Sequence, residues 1–280
     1  MCELSNFQKS ITDKTEKTQL VYKQQYNKLH KLIENDVADT SQEKLLKIVR
    51  ENVDNVNSQQ AILNVAILVR KMSELPVDII VKYREDNKEQ VQLRLQQNNA
   101  NLQGLPSYQE LVDYTNSLYD KKDYIDFIIN WLILNYYVRN KDLVFTIVPR
   151  KKDIIDASKN YIWVDIRHKK LLWVRNDYKT YNTYGTKKHI IKDYNIFNAV
   201  KHIYYCQQRD DPECVFIPNL NQAGYYIQKS TYQSLGESNY IKIILNHYVQ
   251  NNNINILKEI SESRGTNMNT LLTSYNIRNL

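Results

Sequence analysis

Apolar residues recur at helical spacing along most of the chain and gather into strand-like runs only in its middle. From Thr15 to Glu34, Leu20, Val21, Leu29, Leu32 and Ile33 fall at helical spacing, the pattern of an amphipathic helix. Ser41 suits the N-cap of a helix over Glu43 to Val53, and Ile62, Val65, Ala66, Leu68 and Val69 predict another from Ser58 to Ser73. Together these form a compact helical unit that Pro76 ends. The Gln- and Asn-rich stretch from Gln90 to Gly104 is expected to be helical to about Gln97 and a linker beyond it.

Past the linker, Pro106 and Ser107 suit a helix start, and two helices are predicted over Tyr108 to Tyr119 and Tyr124 to Val138. The second is nearly all apolar, which requires burial. The period then changes. YIWVDI (Tyr161 to Ile166) and KLLWV (Lys170 to Val174) are short β-branched and aromatic runs separated by the polar residues Arg167, His168 and Lys169, as in a hairpin, and KKHIIKD follows the loop YKTYNTYGT as a third strand. Helices return at Ile196 to Tyr205, from Tyr232 or Leu235 to Val249, Ile254 to Ser261, and Asn267 to Ser274. No internal repeat interrupts this order. The fold expected is α+β, mainly α: a helical N-terminal domain with its linker over 1–104, then a mixed domain with a small antiparallel sheet over 105–280.

Composition and charge add to this picture. Lys and Arg number 38 against 31 Asp and Glu, a net charge of +7, a mild bias towards polyanions that is compatible with nucleic acid. Cys2, Cys206 and Cys214 are odd in number and lack CxxC spacing, so neither a disulfide framework nor a zinc site is expected, and reduced thiols point to an intracellular protein of cytoplasm or nucleus. His30, His168, His189, His202 and His247 are scattered and give no ligand set, so no metal or cofactor is expected. No apolar run reaches membrane-spanning length, and MCELSNFQKSITDK lacks the apolar core of a secretory signal, so neither membrane insertion nor export is expected. Abundant Tyr, Asn, Lys and Ile with few Gly and Pro fit an AT-rich genome, a viral or virus-associated one among them.

Several stretches carry a family resemblance. KTQLVYKQQYNKLHKLI and SQQAILNVAILVRKM look like the first and the exit helices of a core-binding domain. LPSYQELVDYTN with DYIDFIINWLILNYYVRNKDLVFTIV is similar to the segment that opens the catalytic domain of tyrosine recombinases, or integrases, and carries its first arginine after an apolar helix. YIWVDIRHKKLLWVRNDYKT resembles the two strands that follow, and INILKEISESRGTNMNTLLTSYNI the last two helices with their nucleophilic tyrosine. The resemblance covers nearly the whole chain. It implies Tyr275 as nucleophile, Arg139 as first arginine, and Lys179 as the lysine presented on the second strand or its turn, with Lys187 and Lys188 as rivals. The family's His-x-x-Arg box has no counterpart: the matching region reads SLGESNYIKIILNHYV, where Lys242 offers a cation, and Arg264 lies near the usual histidine or tryptophan.

The implied partner is double-stranded DNA, engaged by a homotetramer, and the implied reaction is strand cleavage and rejoining through a phosphotyrosine. Arginine suits the nonbridging phosphate oxygens because its planar fork holds two of them, whence Arg139 and Arg264; a lysine with a lowered pKa can protonate the leaving 5′-oxygen, whence Lys179. Lys187, Lys188 and Lys242 are the further DNA-binding candidates. Each residue also has a plainer reading. Arg139 serves equally as a cation at a helix C-terminus, Lys179 as a solvated hairpin tip, Arg264 as a cap or salt bridge, Lys242 as a solvated helix face, Glu237 as a helix cap and Tyr275 as packing. The missing box leaves a catalytically inactive DNA-binding relative open, and the basic charge is also compatible with a viral structural or interaction protein.

Overall fold

The computed structural model describes residues 2–33, 36–100, 104–209, 214 and 216–275, and only the backbone of residues 2, 3, 17, 89, 91–100 and 273–275. The chain divides into two compact units, Met1–Asn98 and Asn99–Leu280.

The first unit is helical among its described residues: α1 (Cys2–Ser10), α2 (Glu16–Leu32), α3 (Gln42–Asn52), α4 (Val56–Met72) and α5 (Asp78–Ala100). Thr15, Ser41 and Asn55 cap α2, α3 and α4 by accepting backbone N–H groups of their first turns, as short polar side chains do where the helix leaves donors unmet. Their apolar faces share one core that includes Phe7, Leu29, Leu45, Ile62, Leu63 and Ile80. Two polar side chains lock the turns. Gln42 accepts from the backbone of Ile79 and Ile80 at the start of α5, and the buried Arg70 donates to the carbonyls of Pro76 and Thr40. Helix α5 runs through the Gln-rich stretch to Ala100, three residues past the expected end.

The second unit opens with α6 (Tyr108–Asp120), started by a capping box in which Ser107 and Glu110 bond each other's backbone, and α7 (Tyr124–Tyr136). Phe127, Ile128, Ile129, Leu132 and Ile133 bury α7 on several sides, which explains its lack of a polar face. The strands follow: β1 (Phe145–Val148), β2 (Asn160–Asp165) and β3 (Lys170–Arg175), then a single turn, α8 (Tyr181–Tyr184), and β4 (Lys187–Ile191). Helices α9 (Tyr194–Gln207), α10 (Leu220–Ser230), α11 (Gly236–Gln250), α12 (Ile254–Arg264) and α13 (Met268–Tyr275) complete the unit. The strand order is β1-β2-β3-β4. Where the sequence predicts an antiparallel sheet, the sheet is mixed: β2, β3 and β4 pair antiparallel, but β1 joins β2 in parallel, because residues 149–159 carry the chain back before β2 begins.

Register sorts the sheet into two faces. Ile147, Ile162, Val164, Leu171, Trp173 and Ile191 enter the helix-covered core, while Val148, Tyr161 and Val174 form a separate small cluster on the opposite face. No helix among the described residues is long and apolar enough to cross a membrane.

One buried amide ties the strands to the loops at their ends. Asn160, 2% exposed, donates to the carbonyls of Val144 and Asp177 at 3.1 and 3.0 Å and accepts from the N–H groups of Asn176 and Asp177 at 2.9 and 2.7 Å. Removing it strands several buried backbone groups at once. Asn160→Ala is expected to lower the unfolding free energy of this unit by about 2 to 3 kcal/mol, measured by urea denaturation; a loss under about 0.5 kcal/mol would show that the loop is held elsewhere.

Candidate active site

Helix α7 ends where Tyr137 adopts a left-handed conformation, φ 54°, unusual for an aromatic residue. The turn leads the chain out through Val138 to Arg139 and leaves the carbonyls of Tyr137 and Val138 facing away from the helix ladder. Both accept from Nη1 of Arg264, at 3.2 and 3.3 Å. The N–H of Arg139 donates to Oδ2 of Asp142 at 2.7 Å, and Nη2 of Arg139 donates to the hydroxyl of Thr266 at 2.7 Å. Helix α12 thus docks its C-terminal turn on the end of α7 through two arginines, one from each partner.

That turn is built by Gly265, left-handed at φ 55°, which ends α12 and permits close approach. A Cβ there would stand 2.7 Å from both Cβ and Cγ2 of Thr180, so the loop after β3 packs directly on the glycine. Asn267 follows and caps α13 by accepting from the N–H of Thr270 at 2.7 Å. Tyr275 lies on the last turn of α13; its side chain is outside the described residues.

Beneath the turn lies Arg175, the inward-facing last residue of β3 and fully buried. Its Nη2 pairs with Oδ2 of Asp142 at 3.0 Å, its guanidinium carries donors to the hydroxyl and carbonyl of Ser263 at 3.3 Å, and it sits over the rings of Trp173 and Tyr178. Ser263 in turn donates to the carbonyl of Tyr136. The same carboxylate oxygen of Asp142 therefore receives both the Arg139 backbone and the Arg175 guanidinium, fixing the segment that presents Arg139.

Lys187 comes from the neighbouring strand. It faces inward on β4 beside Arg175, and its ammonium donates to the carbonyl of Glu262 at 2.6 Å and lies 5.2 Å from the ring centres of Tyr178 and Tyr184. Burial, with the Arg175 cation adding to it, holds its pKa below the usual lysine value. His189, two residues on and on the same face, feels the same field: burial first, then Arg175 and Lys187, lower its pKa to about 4. Its ring packs edge-on against Tyr136, with centroids 4.9 Å apart.

The residues singled out in the sequence fall into three groups. Arg139 bonds Thr266, Lys187 bonds the Glu262 carbonyl in the last turn of α12, and Lys179 is exposed in the loop whose next residue, Thr180, packs on Gly265. Arg264 is corrected from phosphate ligand to structural cation: it is 3% exposed, and its Nη1 is 2.6 Å from Oε1 of Glu237, so the guanidinium is spent on the protein itself. Lys188 points to the opposite sheet face from Lys187, because successive strand residues alternate, and Lys242 is half-buried on α11. Sequence reasoning passed over Arg175, Asp142, Ser263, Thr266 and His189. The signal for Arg175 was present in its alternation with Leu171 and Trp173, which places it on the core face of β3. Asp142, three residues beyond Arg139, had no such signal.

Comparison of the chain with family models, with curated proteins and with solved structures finds no match.

The lowered pKa of His189 has a testable consequence. The unfolded chain takes up its proton near the ordinary value of about 6.5 while the folded chain resists until about pH 4, so the stability present above pH 6.5 is lost as pH falls through that window. Between pH 7 and 5 the wild type should lose at most about 2 kcal/mol through this group. His189→Phe, followed by urea denaturation at both pH values, is expected to remove that part of the loss; an unchanged pH dependence would place the imidazole in water.

Proposed function

We propose that the second unit is the catalytic domain of a divergent tyrosine-type DNA strand transferase, a site-specific recombinase or integrase, with the helical first unit as its core-binding partner. The supporting observation is that Arg139 and Lys187 both bond the C-terminal end of α12, at Thr266 and at the Glu262 carbonyl, just ahead of the helix that ends in Tyr275. Cations brought to the end of α12 from the segment after α7 and from β4 suit a phosphodiester better than a packing role, since packing alone gives no reason to crowd positive charges.

In this reading the Tyr275 oxygen attacks phosphorus, the bond to the 5′-oxygen breaks, and the strand is held as a phosphotyrosine until a 5′-hydroxyl reverses the step. Arg139 binds nonbridging oxygens. Lys187 is preferred over Lys179 as donor of the proton to the leaving oxygen, because burial and Arg175 bring it nearer to releasing one. Arg175, Asp142, Arg264 and Glu237 position these groups without touching DNA. Binding of double-stranded DNA would draw on Lys179, Lys242 and the net charge of +7, and a homotetramer on paired duplexes is the assembly this chemistry implies.

A second reading rests on one specific feature. The region matching the family's His-x-x-Arg box offers Lys242 but no arginine, so a DNA-binding relative without strand transfer is the alternative.

The test is covalent trapping on nicked duplexes drawn from the source genome. Wild type is expected to give a denaturation-resistant protein–DNA band, Tyr275→Phe none, and Arg139→Ala a band formed about 100- to 1,000-fold more slowly. Salt-sensitive binding without a band would select the noncatalytic reading, and absence of binding at low salt would reject both.

A further inference from the structure

The sheet face turned away from the helices is apolar where solvent would favour polar residues. Tyr161, Trp163, Leu172, Val174 and Ile190 alternate outward from β2, β3 and β4 and stand opposite one another in the register. The loop between β1 and β2 covers part of this face: Ile154 packs on it, and the Trp163 indole donates to the carbonyl of Pro149 at 3.1 Å. The half along β3 and β4 is left open, with Ile190 61% exposed. A groove of about 490 Å³ lies there, floored by Trp163, Leu172 and Ile190 and rimmed by Lys151, Lys170 and Lys188, and no carboxylate lines it.

We infer that this face docks an amphipathic helix of a partner protein whose apolar stripe is flanked by Asp or Glu. A sheet apolar on both faces is completed by a layer on each, and the inner face already has its helices, α9 among them. Lys151 and Lys188 beside an apolar floor match carboxylates around an apolar stripe, while Lys170 is already paired with Asp165 at 3.7 Å. A second copy of the same face is a poor occupant, because a two-fold contact would set lysine rim against lysine rim. Duplex DNA would satisfy the lysines but leave the apolar floor facing a hydrated polyanion. This surface is independent of the strand-transfer reading, since Lys188 and Ile190 lie on the face opposite Lys187 and His189.

The test uses the full chain and three fluorescent peptides of about 18 residues, long enough to span the sheet as a helix. One carries a Leu/Phe stripe flanked by Glu, the second the same stripe flanked by Lys, and the third the residues of the first scrambled to abolish the stripe. The first is expected to bind with a dissociation constant on the order of 10 µM, the other two at least about tenfold more weakly. Lys151→Glu with Lys188→Glu, and separately Ile190→Ser, should each weaken binding of the first about tenfold while leaving the thermal midpoint unchanged, since Lys188 and Ile190 are exposed. The proposal fails if the scrambled peptide binds equally, if the substitutions have no effect, or if no peptide binds. Displacement of the peptide by duplex DNA, with Ile190→Ser weakening DNA binding to the same extent, would instead assign the face to nucleic acid.

Discussion

A guanidinium taken out of water needs acceptors, and the second unit supplies them to two buried arginines at one place. Arg175 finds Asp142 and Ser263; Arg264 finds Glu237 and the carbonyls freed where α7 ends at Tyr137. Ion pairs of this kind contribute little net stability over apolar packing, yet losing one partner costs about 3 to 5 kcal/mol because the other charge is left buried. Their effect is to fix geometry. The end of α7, the end of β3 and the α12–α13 turn can meet in few other ways, and Arg139 and Lys187 are mounted on one of these elements or on the adjoining β4, while Tyr275 lies at the far end of α13.

The positive field at this junction follows from that design. Arg175 is only partly neutralised locally by Asp142, and it depresses the pKa of both Lys187 and His189 in addition to the effect of their burial. A histidine kept neutral and a lysine made readier to give up its proton are two responses to one buried cation. Neither requires a metal in the scheme. The strand-transfer reading uses this field for a phosphate, and the open sheet face lies on the other side of the same strands, where alternation sends Lys188 and Ile190 away from it.

Much of this was legible in the sequence because it is periodic. The apolar spacing of α2, α3, α4, α6 and α7 and the alternation in β2, β3 and β4 predicted those elements, whereas Arg139 was singled out only through the family resemblance. What periodicity does not encode was lost. Strand β1 is four residues long, too short to display a period, and its parallel pairing changed the sheet from antiparallel to mixed. Helix α10, LNQAGYYIQKS, buries only Ala223, Ile227 and Ser230, so its apolar signal is faint. The role of Arg264 could not be read from its neighbours, because its partner Glu237 is remote in sequence, and Lys187 could be separated from Lys188 only once the strand register fixed which of them faces the core.

The division of labour between Arg139 and Lys187 is tested most directly with a duplex whose scissile phosphate carries sulfur in place of the bridging 5′-oxygen, a leaving group that needs no proton. On this substrate Lys187→Ala is expected to cleave at close to the wild-type rate while Arg139→Ala remains about 100-fold slower or worse, because only the proton donor is made dispensable. Rescue of Lys179→Ala but not of Lys187→Ala, or equal rescue of the Lys187 and Arg139 variants, would contradict the arrangement of charges around the α12–α13 turn as the machinery of strand transfer.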